Sequence, residues 1–207
     1  MQLSKGQNAP LDQAEVVVRC TWHKCPAIDA DLSALLLTPD GKVRGDFDFV
    51  FYNQAESRDD STHHGGKRSA RTSVEDRITV DLYRLDQEIE RIVIVLSLDA
   101  PTPATLADLG QADIAVHGAS GSALATFIID DWSSETAAVT VEIYRRDHRW
   151  KIRAVGQGYH DGLAGLARDF GVTVDDAQTS EPASSPVVHG PPPIDWSNPP
   201  VPAGYEL

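Results

Sequence analysis

Cysteine, methionine and basic residues are all scarce in this sequence. Its 207 residues include two cysteines and one methionine, and 18 lysines and arginines stand against 31 aspartates and glutamates. The resulting net charge of -13 argues against a nucleic-acid partner, because a phosphate backbone is bound by clustered lysines and arginines. The same charge argues against adhesion to anionic membranes.

Long apolar segments are missing as well. The longest apolar stretch, residues 92–98, is far shorter than the roughly 20 residues of a membrane-spanning helix, so we interpret it as a buried strand. The opening MQLSKGQNAPL has no apolar core of the kind that secretory signals carry. We therefore expect a cytoplasmic protein without a transmembrane segment, in which Cys20 and Cys25 are reduced thiols rather than a disulfide.

Short β-rich segments separated by turn residues recur along the first 174 residues. This spacing predicts an all-β domain, a β-sandwich of two antiparallel or mixed sheets. Residues 162–170, GLAGLARDF, predict one short C-terminal helix that ends at Gly171. Residues 54–76 lack apolar periodicity and are predicted to form a long exposed loop. Beyond residue 174 the composition changes, and residues 175–207 read as an acidic linker and a proline-rich C-terminal tail.

Two Asp-x-Asp pairs lie within residues 28–54, each directly before an apolar run. They are Asp29 with Asp31 and Asp46 with Asp48. Residues i and i+2 of an extended segment lie on one face, and the turn at residues 39–42 folds the second segment back beside the first. Four carboxylates at one end of a sheet repel each other unless solvent or a cation separates them. The pairs are therefore either solubilising charges at strand ends or a site for a hard cation.

The two cysteines do not complete a metal site. Cys20, His23 and Cys25 supply three ligands, whereas a structural zinc site needs four. Cys20 and Trp22 share the strand parity of Val18, so both are expected to point into the core. Cys25 lies in a loop beside the first Asp pair. We interpret both cysteines as structural or incidental, with a thiol that reacts with oxidants as the alternative.

The histidines likewise suggest no catalytic centre. His63 and His64 are adjacent, so their side chains diverge, and we interpret them as surface histidines without a partner. His160 and Asp161 resemble half of a catalytic dyad, but no serine or cysteine in a recognisable nucleophile turn accompanies them. No catalytic residue is expected.

The tail combines proline clusters with two large aromatic side chains. Its prolines favour polyproline II, an extended form that docks on aromatic grooves. Large aromatics are costly to leave exposed, which favours docking of the tail over a disordered extension, either onto its own sandwich or onto another protein. The candidate partner-binding residues are Trp196, Pro199, Pro200, Pro202 and Tyr205.

Several motifs resemble the TerD family of tellurium-resistance and general stress proteins, over roughly residues 1–174. The matching segments are residues 3–6, 28–33, 40–43, 46–54, 135–137, 142–145, 150–159, 162–166 and 170–172. The most specific are Phe-Tyr-Asn-Gln at 51–54 and Arg-Ala-Val-Gly-Gln-Gly-Tyr at 153–159. The resemblance implies a β-sandwich that binds calcium in acidic loops at one end, has no known catalytic activity, and supports tellurite and stress resistance through membrane-linked or multi-protein assemblies.

By this resemblance the calcium ligands come from both Asp pairs and from the loops beside them. They are Asp29, Asp31, Asp46, Asp48, Asn53, Glu75, Asp76 and Asp99. The connection after residue 98 departs from the family pattern, in which a histidine is followed by an acid, because Leu98 precedes Asp99 here. One ion site therefore matches the family, and a second is incomplete.

The loop before Glu75 departs further from the family pattern. Lys67, Arg68 and Arg71 stand where acids and glycines are expected, and only Glu75 and Asp76 remain as acids at its end. Basic side chains there would weaken calcium binding or replace the ion by pairing with the aspartates. The alternative to a calcium-binding protein is therefore a metal-free interaction module of the same fold, whose tail recruits a partner.

Overall fold

A computed structural model describes residues 1–98 and 103–172. Asp99 and the whole of the proline-rich tail, including its five candidate partner-binding residues, lie outside that part of the chain. Within the described residues, no helix is both long enough and apolar enough to cross a membrane.

The described chain consists mainly of β-strands. They are β1 Asn8–Pro10, β2 Glu15–His23, β3 Ala30–Leu37, β4 Phe49–Val50, β5 Thr62–His64, β6 Arg68–Ser69, β7 Ser73–Asp81, β8 Arg91–Leu98, β9 Ala112–Gly118, β10 Ala123–Ile129, β11 Ala137–Arg146 and β12 Arg149–Tyr159. The helices are α1 Leu106–Leu109 and α2 Gly162–Phe170.

The strands form two antiparallel sheets, which confirms the predicted β-sandwich. Sheet B has the order β1-β12-β11-β8-β3-β4, and sheet A has the order β10-β9-β2-β7-β5, with β6 also paired to β7. In β2 every second residue is buried, as expected where one sheet face packs on a core and the other meets solvent. Cys20 and Trp22 are 0% and 2% exposed, so both point into the core as predicted.

Sheet B is buried on both faces where α2 crosses it. Leu166 of α2 packs with Val93 and Val95 on the face of β8 that points away from the main core. This second layer explains why β8 has a continuous apolar run instead of an alternating one. The helix ends as predicted, at a left-handed Gly171 with φ 76°, whose N–H donates to the Ala167 carbonyl.

Residues 54–76 are not the long exposed loop that the sequence predicts. They contain β5, β6 and the beginning of β7, and Ser61, Thr62 and Asp76 are fully buried. Polar contacts hold the segment together; for example, the Thr62 N–H donates to Ser57 Oγ at 3.0 Å. The prediction failed because it relied on apolar periodicity, which a strand fixed by buried hydroxyls and carboxylates does not show.

Candidate cation site

The first Asp pair converges on one point, and a lysine amine occupies it. Lys67 Nζ lies 2.8 Å from Asp29 Oδ1 and 2.8 Å from Asp31 Oδ1. Asp29 directly precedes β3 and Asp31 is its second residue, so the two side chains point the same way, as the i and i+2 spacing predicts. The Asp31 side chain is only 10% exposed, whereas that of Asp29 is 60% exposed.

These residues line a cleft of about 590 Å³ at the edge of β3 and β5. Its walls are Asp29, Asp31, Tyr52, Ala55, His64, Gly65, Gly66 and Lys67. Burial of Lys67 opposes its charge, but the hydrogen bonds to Asp29 and Asp31 outweigh that cost and raise the pKa of the amine. Lys67 is therefore charged at neutral pH and neutralises part of the acidic pair.

A pair of glycines directs Lys67 into the cleft. Gly65 is fixed to Arg77 of β7, because its N–H donates to the Arg77 carbonyl and its own carbonyl accepts from Arg77 Nε. A Cβ at Gly65 would collide with the Arg77 side chain. Gly66 has φ 77°, a left-handed conformation that glycine adopts without strain, and it turns the chain back toward Asp29.

The second Asp pair is not extended, contrary to the sequence prediction. Residues Asp46–Asp48 form a short 3-10 turn, in which positions i and i+2 do not share a face. Asp48 is fully buried, and both of its oxygens accept from Arg44: Oδ2 from Nε at 2.9 Å and Oδ1 from Nη2 at 2.8 Å. Asp48 therefore does not join the first pair around Lys67.

Arg44 has a structural role that the sequence did not predict. Besides Asp48, its Nη1 donates to Asp86 at 2.7 Å and to Glu88 at 3.2 Å, so one guanidinium gathers three carboxylates. The hydrogen bond to Asp48 is the main cause that raises the pKa of Arg44. A sequence signal existed, because Arg44 lies four residues before Asp48. Its contacts with the connection between β7 and β8 could not be read from spacing.

Asp76 is engaged entirely by protein donors. It is fully buried in β7; Oδ2 accepts from the Leu32 N–H at 2.9 Å, Oδ1 accepts from the Arg77 N–H at 2.8 Å, and His64 Nε2 lies 3.1 Å away. The interpretation of His64 as a surface residue without a partner is therefore wrong. Burial, followed by the nearby Asp76 charge, raises the pKa of Cys20, which makes that thiol unreactive.

Two further predicted ligands, Glu75 and Asn53, are not among the residues that line the cleft. Glu75 follows the opposite face of β7 from Asp76, and its carboxylate is 3.9 Å from Arg19. Asn53 is exposed in the turn after β4, and Arg68 and Arg71 are exposed as well. The structure thus brings together Asp29, Asp31 and Lys67, whereas Asp48, Asp76 and Glu75 have other protein partners.

The cleft fits a small cation, but not a preformed calcium cage. Calcium takes about six to eight oxygen ligands, and the carboxylates of Asp48 and Asp76 already have both oxygens in hydrogen bonds. Asp29 and Asp31 remain as a two-carboxylate position whose cation is Lys67. A calcium ion there would have to displace the amine and complete its shell from backbone carbonyls and water.

The structure also places a serine beside His160. Ser134 Oγ lies 2.9 Å from His160 Nδ1 at the surface. Asp161, the acid next to His160 in the sequence, pairs with Arg168. Asp161 therefore does not orient the imidazole as the acid of a catalytic triad does.

Together these features define a class of protein: an antiparallel β-sandwich with an acidic cleft and a short helix on one outer face. The sequence profile of the TerD domain matches residues 1–170. The chain belongs to the TerD family.

Several relatives match over most of their length. A protein from Serratia marcescens named tellurium resistance protein TerD is 35% identical, over 83% of this chain and 97% of that protein. General stress protein 16U of Bacillus subtilis is 31% identical, over 84% of this chain and 98% of that protein. The crystal structure of a TerD homologue from Streptomyces coelicolor A3(2) superposes with a TM-score of 0.59 at 21% identity, covering 75% of this chain and 95% of that one, and supports the fold.

We expect Asp76→Asn to destabilise the sandwich by about 3–5 kcal/mol. Both carboxylate oxygens accept from backbone N–H groups, so the NH₂ group of an asparagine would face a donor and leave it without an acceptor. Urea unfolding followed by tryptophan fluorescence measures this. Glu75→Gln is the matched control. Glu75 is the neighbour of Asp76 on the same strand, and its ion pair with Arg19 is long and partly exposed, so this substitution should change stability by less than about 1 kcal/mol. Equal stability of the two variants would contradict the structural role of Asp76.

Proposed function

We propose that this chain is a non-enzymatic, cytoplasmic protein of the tellurite and general stress response, in which the Asp29–Asp31 cleft is a regulated cation site. One observation carries the proposal: a single nitrogen, Lys67 Nζ, lies 2.8 Å from an oxygen of each aspartate. Two carboxylates aimed at one point define a cation position. Family membership and the names of the relatives support the role in stress.

Calcium is the ion that we propose to compete with Lys67. Calcium–oxygen bonds of about 2.3–2.6 Å are only slightly shorter than the present nitrogen–oxygen distances, so the aspartates would need to move little. The divalent ion would also neutralise both carboxylates, whereas the amine neutralises one charge. Lys67 belongs to the same chain as the two aspartates, so its amine is present beside them at a high effective concentration, and this competition weakens calcium binding. We therefore propose a single low-affinity calcium site.

Calorimetric titration tests this competition. We expect Lys67→Gln to bind calcium about tenfold more tightly than the unmodified chain or tighter still, because the competing charge is removed, and we expect Asp31→Asn to abolish the heat of binding. Lys24→Gln is the matched control, since Lys24 is an exposed lysine outside the cleft. If Lys67→Gln binds no calcium, the calcium part of the proposal is wrong.

A cellular assay tests the role of the cleft in stress tolerance. In bacteria whose tellurite tolerance depends on this protein, we expect Asp29→Asn with Asp31→Asn to reduce tolerance to the level of an empty vector, since the cation position is lost. Immunoblotting verifies equal protein levels, and Asp12→Asn, an exposed acid outside the cleft, serves as the control. Full tolerance with the double variant would show that the cleft is dispensable.

A metal-free interaction module is the second candidate function, and the contacts of Asp48 and Asp76 favour it. Both are buried acids of the candidate calcium site, and protein donors satisfy both. In this alternative the acidic end is a structural ion-pair network. The tail, with Trp196, Pro199, Pro200, Pro202 and Tyr205, recruits another protein.

Removing the tail tests its part in this second candidate. If the tail recruits a partner, deletion of residues 187–207 should lower the mass of the assembly measured by light scattering. Replacing Trp196 and Tyr205 together by alanine should have the same effect, because aromatic side chains anchor such contacts. An unchanged mass and melting temperature for both variants would mean that the tail contributes neither to assembly nor to stability.

A further inference from the structure

The tandem histidines point to a second metal site, because His64 lines the Asp29–Asp31 cleft and His63 does not. His63 and His64 are neighbours in β5, so they project to opposite sides of the sheet. His64 turns inward to Asp76, and its side chain is 4% exposed, whereas the His63 side chain turns outward and is 35% exposed. His63 therefore belongs to a different surface from the Asp29–Asp31 cleft.

Two carboxylates flank His63 on that outer surface. Glu56 is paired with His63 across an isolated β-bridge, and Asp60 lies in the turn that connects them. One ligand atom from each of Glu56, Asp60 and His63 lies within 4.8 Å of the others. The strand register fixes Glu56 opposite His63, so the three side chains share one local hairpin.

Each ring nitrogen of His63 lies near one of the two acids. Nε2 is 3.2 Å from the Asp60 carbonyl oxygen and 3.4 Å from Asp60 Oδ1, and Nδ1 is 4.0 Å from Glu56 Oε1. In metal sites one ring nitrogen of a histidine binds the ion, and the N–H of the other is commonly donated to a carbonyl or a carboxylate. The imidazole therefore has an oxygen acceptor on one side whichever nitrogen binds the metal.

We propose that Glu56, Asp60 and His63 form a surface site for a divalent transition-metal ion of the zinc class. An imidazole nitrogen together with carboxylate oxygens suits zinc, whereas calcium prefers oxygen ligands alone. With bonds of about 2.0–2.1 Å, neighbouring ligands of a tetrahedral ion lie roughly 3.3 Å apart, so the side chains must close by less than 1.5 Å. They are free to do so, because Glu56 is 72% and Asp60 49% exposed. Water supplies the fourth ligand.

One protein cation competes for this site. Arg84 Nη2 lies 2.5 Å from Asp60 Oδ2, so metal binding must compete with this ion pair. The pair is exposed on both sides, with Arg84 55% and Asp60 49% accessible, and exposed pairs contribute little. Arg84 therefore tunes the affinity without blocking the site.

Calorimetric titration of the metal-stripped full-length chain with zinc chloride tests the proposal. We expect one zinc ion per chain, an affinity lowered about tenfold or more by His63→Ala and by Glu56→Gln, and an affinity raised by Arg84→Ala. Asp31→Asn should bind zinc like the unmodified chain, which separates this site from the calcium cleft. Glu56 and Arg84 are exposed and His63 is half-buried, and thermal melting verifies that each variant is folded.

His23→Ala is the matched control, because His23 is an exposed histidine beside the two cysteines. Unchanged zinc binding in this variant, together with its loss in His63→Ala, supports the site. Three results would overturn it: no zinc binding by the unmodified chain, a loss smaller than tenfold in His63→Ala, or a loss in His23→Ala in its place.

Discussion

The buried carboxylate of Asp76 is the contact on which the acidic end of this sandwich depends. Asp76 belongs to sheet A through β7, yet its Oδ2 accepts from the backbone N–H of Leu32 in sheet B. This hydrogen bond fixes the beginning of strand β3 against strand β7 in the buried interior. Since Asp29 and Asp31 lie immediately before Leu32, their position relative to the opposite sheet follows from this bond. The same carboxylate holds His64, from which the Gly65–Gly66 turn delivers Lys67. The cleft is therefore built outward from a structural acid that is itself unavailable to a ligand.

Two tethered cations divide the acidic residues of this end between them. Lys67 takes the first Asp pair, and Arg44 takes Asp48 together with Asp86 and Glu88. A guanidinium presents several donors in a fixed plane, so it satisfies a buried carboxylate fully and is difficult to replace by an ion. An ammonium is a compact charge on a flexible stem, and it leaves its partners free to accept other cations. This difference between the side chains favours the first pair as the exchangeable position that we propose, and Asp48 as a structural residue.

The parts of the fold that local patterns determine could be predicted from the sequence. The apolar run of β8, the amphipathic segment of α2 and its glycine cap, and the convergence of Asp29 with Asp31 all follow from spacing within one element. The failures share a different cause. The Asp-x-Asp spacing predicts an extended segment at Asp46 and Asp48. The chain forms a 3-10 turn there instead, which changes the direction of both side chains. His64 with Asp76 and Arg44 with Asp86 are contacts between elements 12 and 42 residues apart, respectively, and periodicity carries no information about them.

The short strand β5 shows how one local feature serves two surfaces. A strand directs successive side chains to opposite faces, so a tandem histidine pair necessarily contributes one imidazole to each. The inner one is satisfied by a buried carboxylate and stabilises the cleft; the outer one faces two exposed acids. The two imidazoles differ in whether the carboxylates beside them are accessible to a metal ion. Around His64 the acceptor already has backbone donors on both oxygens, whereas around His63 both carboxylates are exposed. The same residue type is therefore structural on one side of β5 and suited to ligand binding on the other, and the alternation of the strand alone separates the two roles.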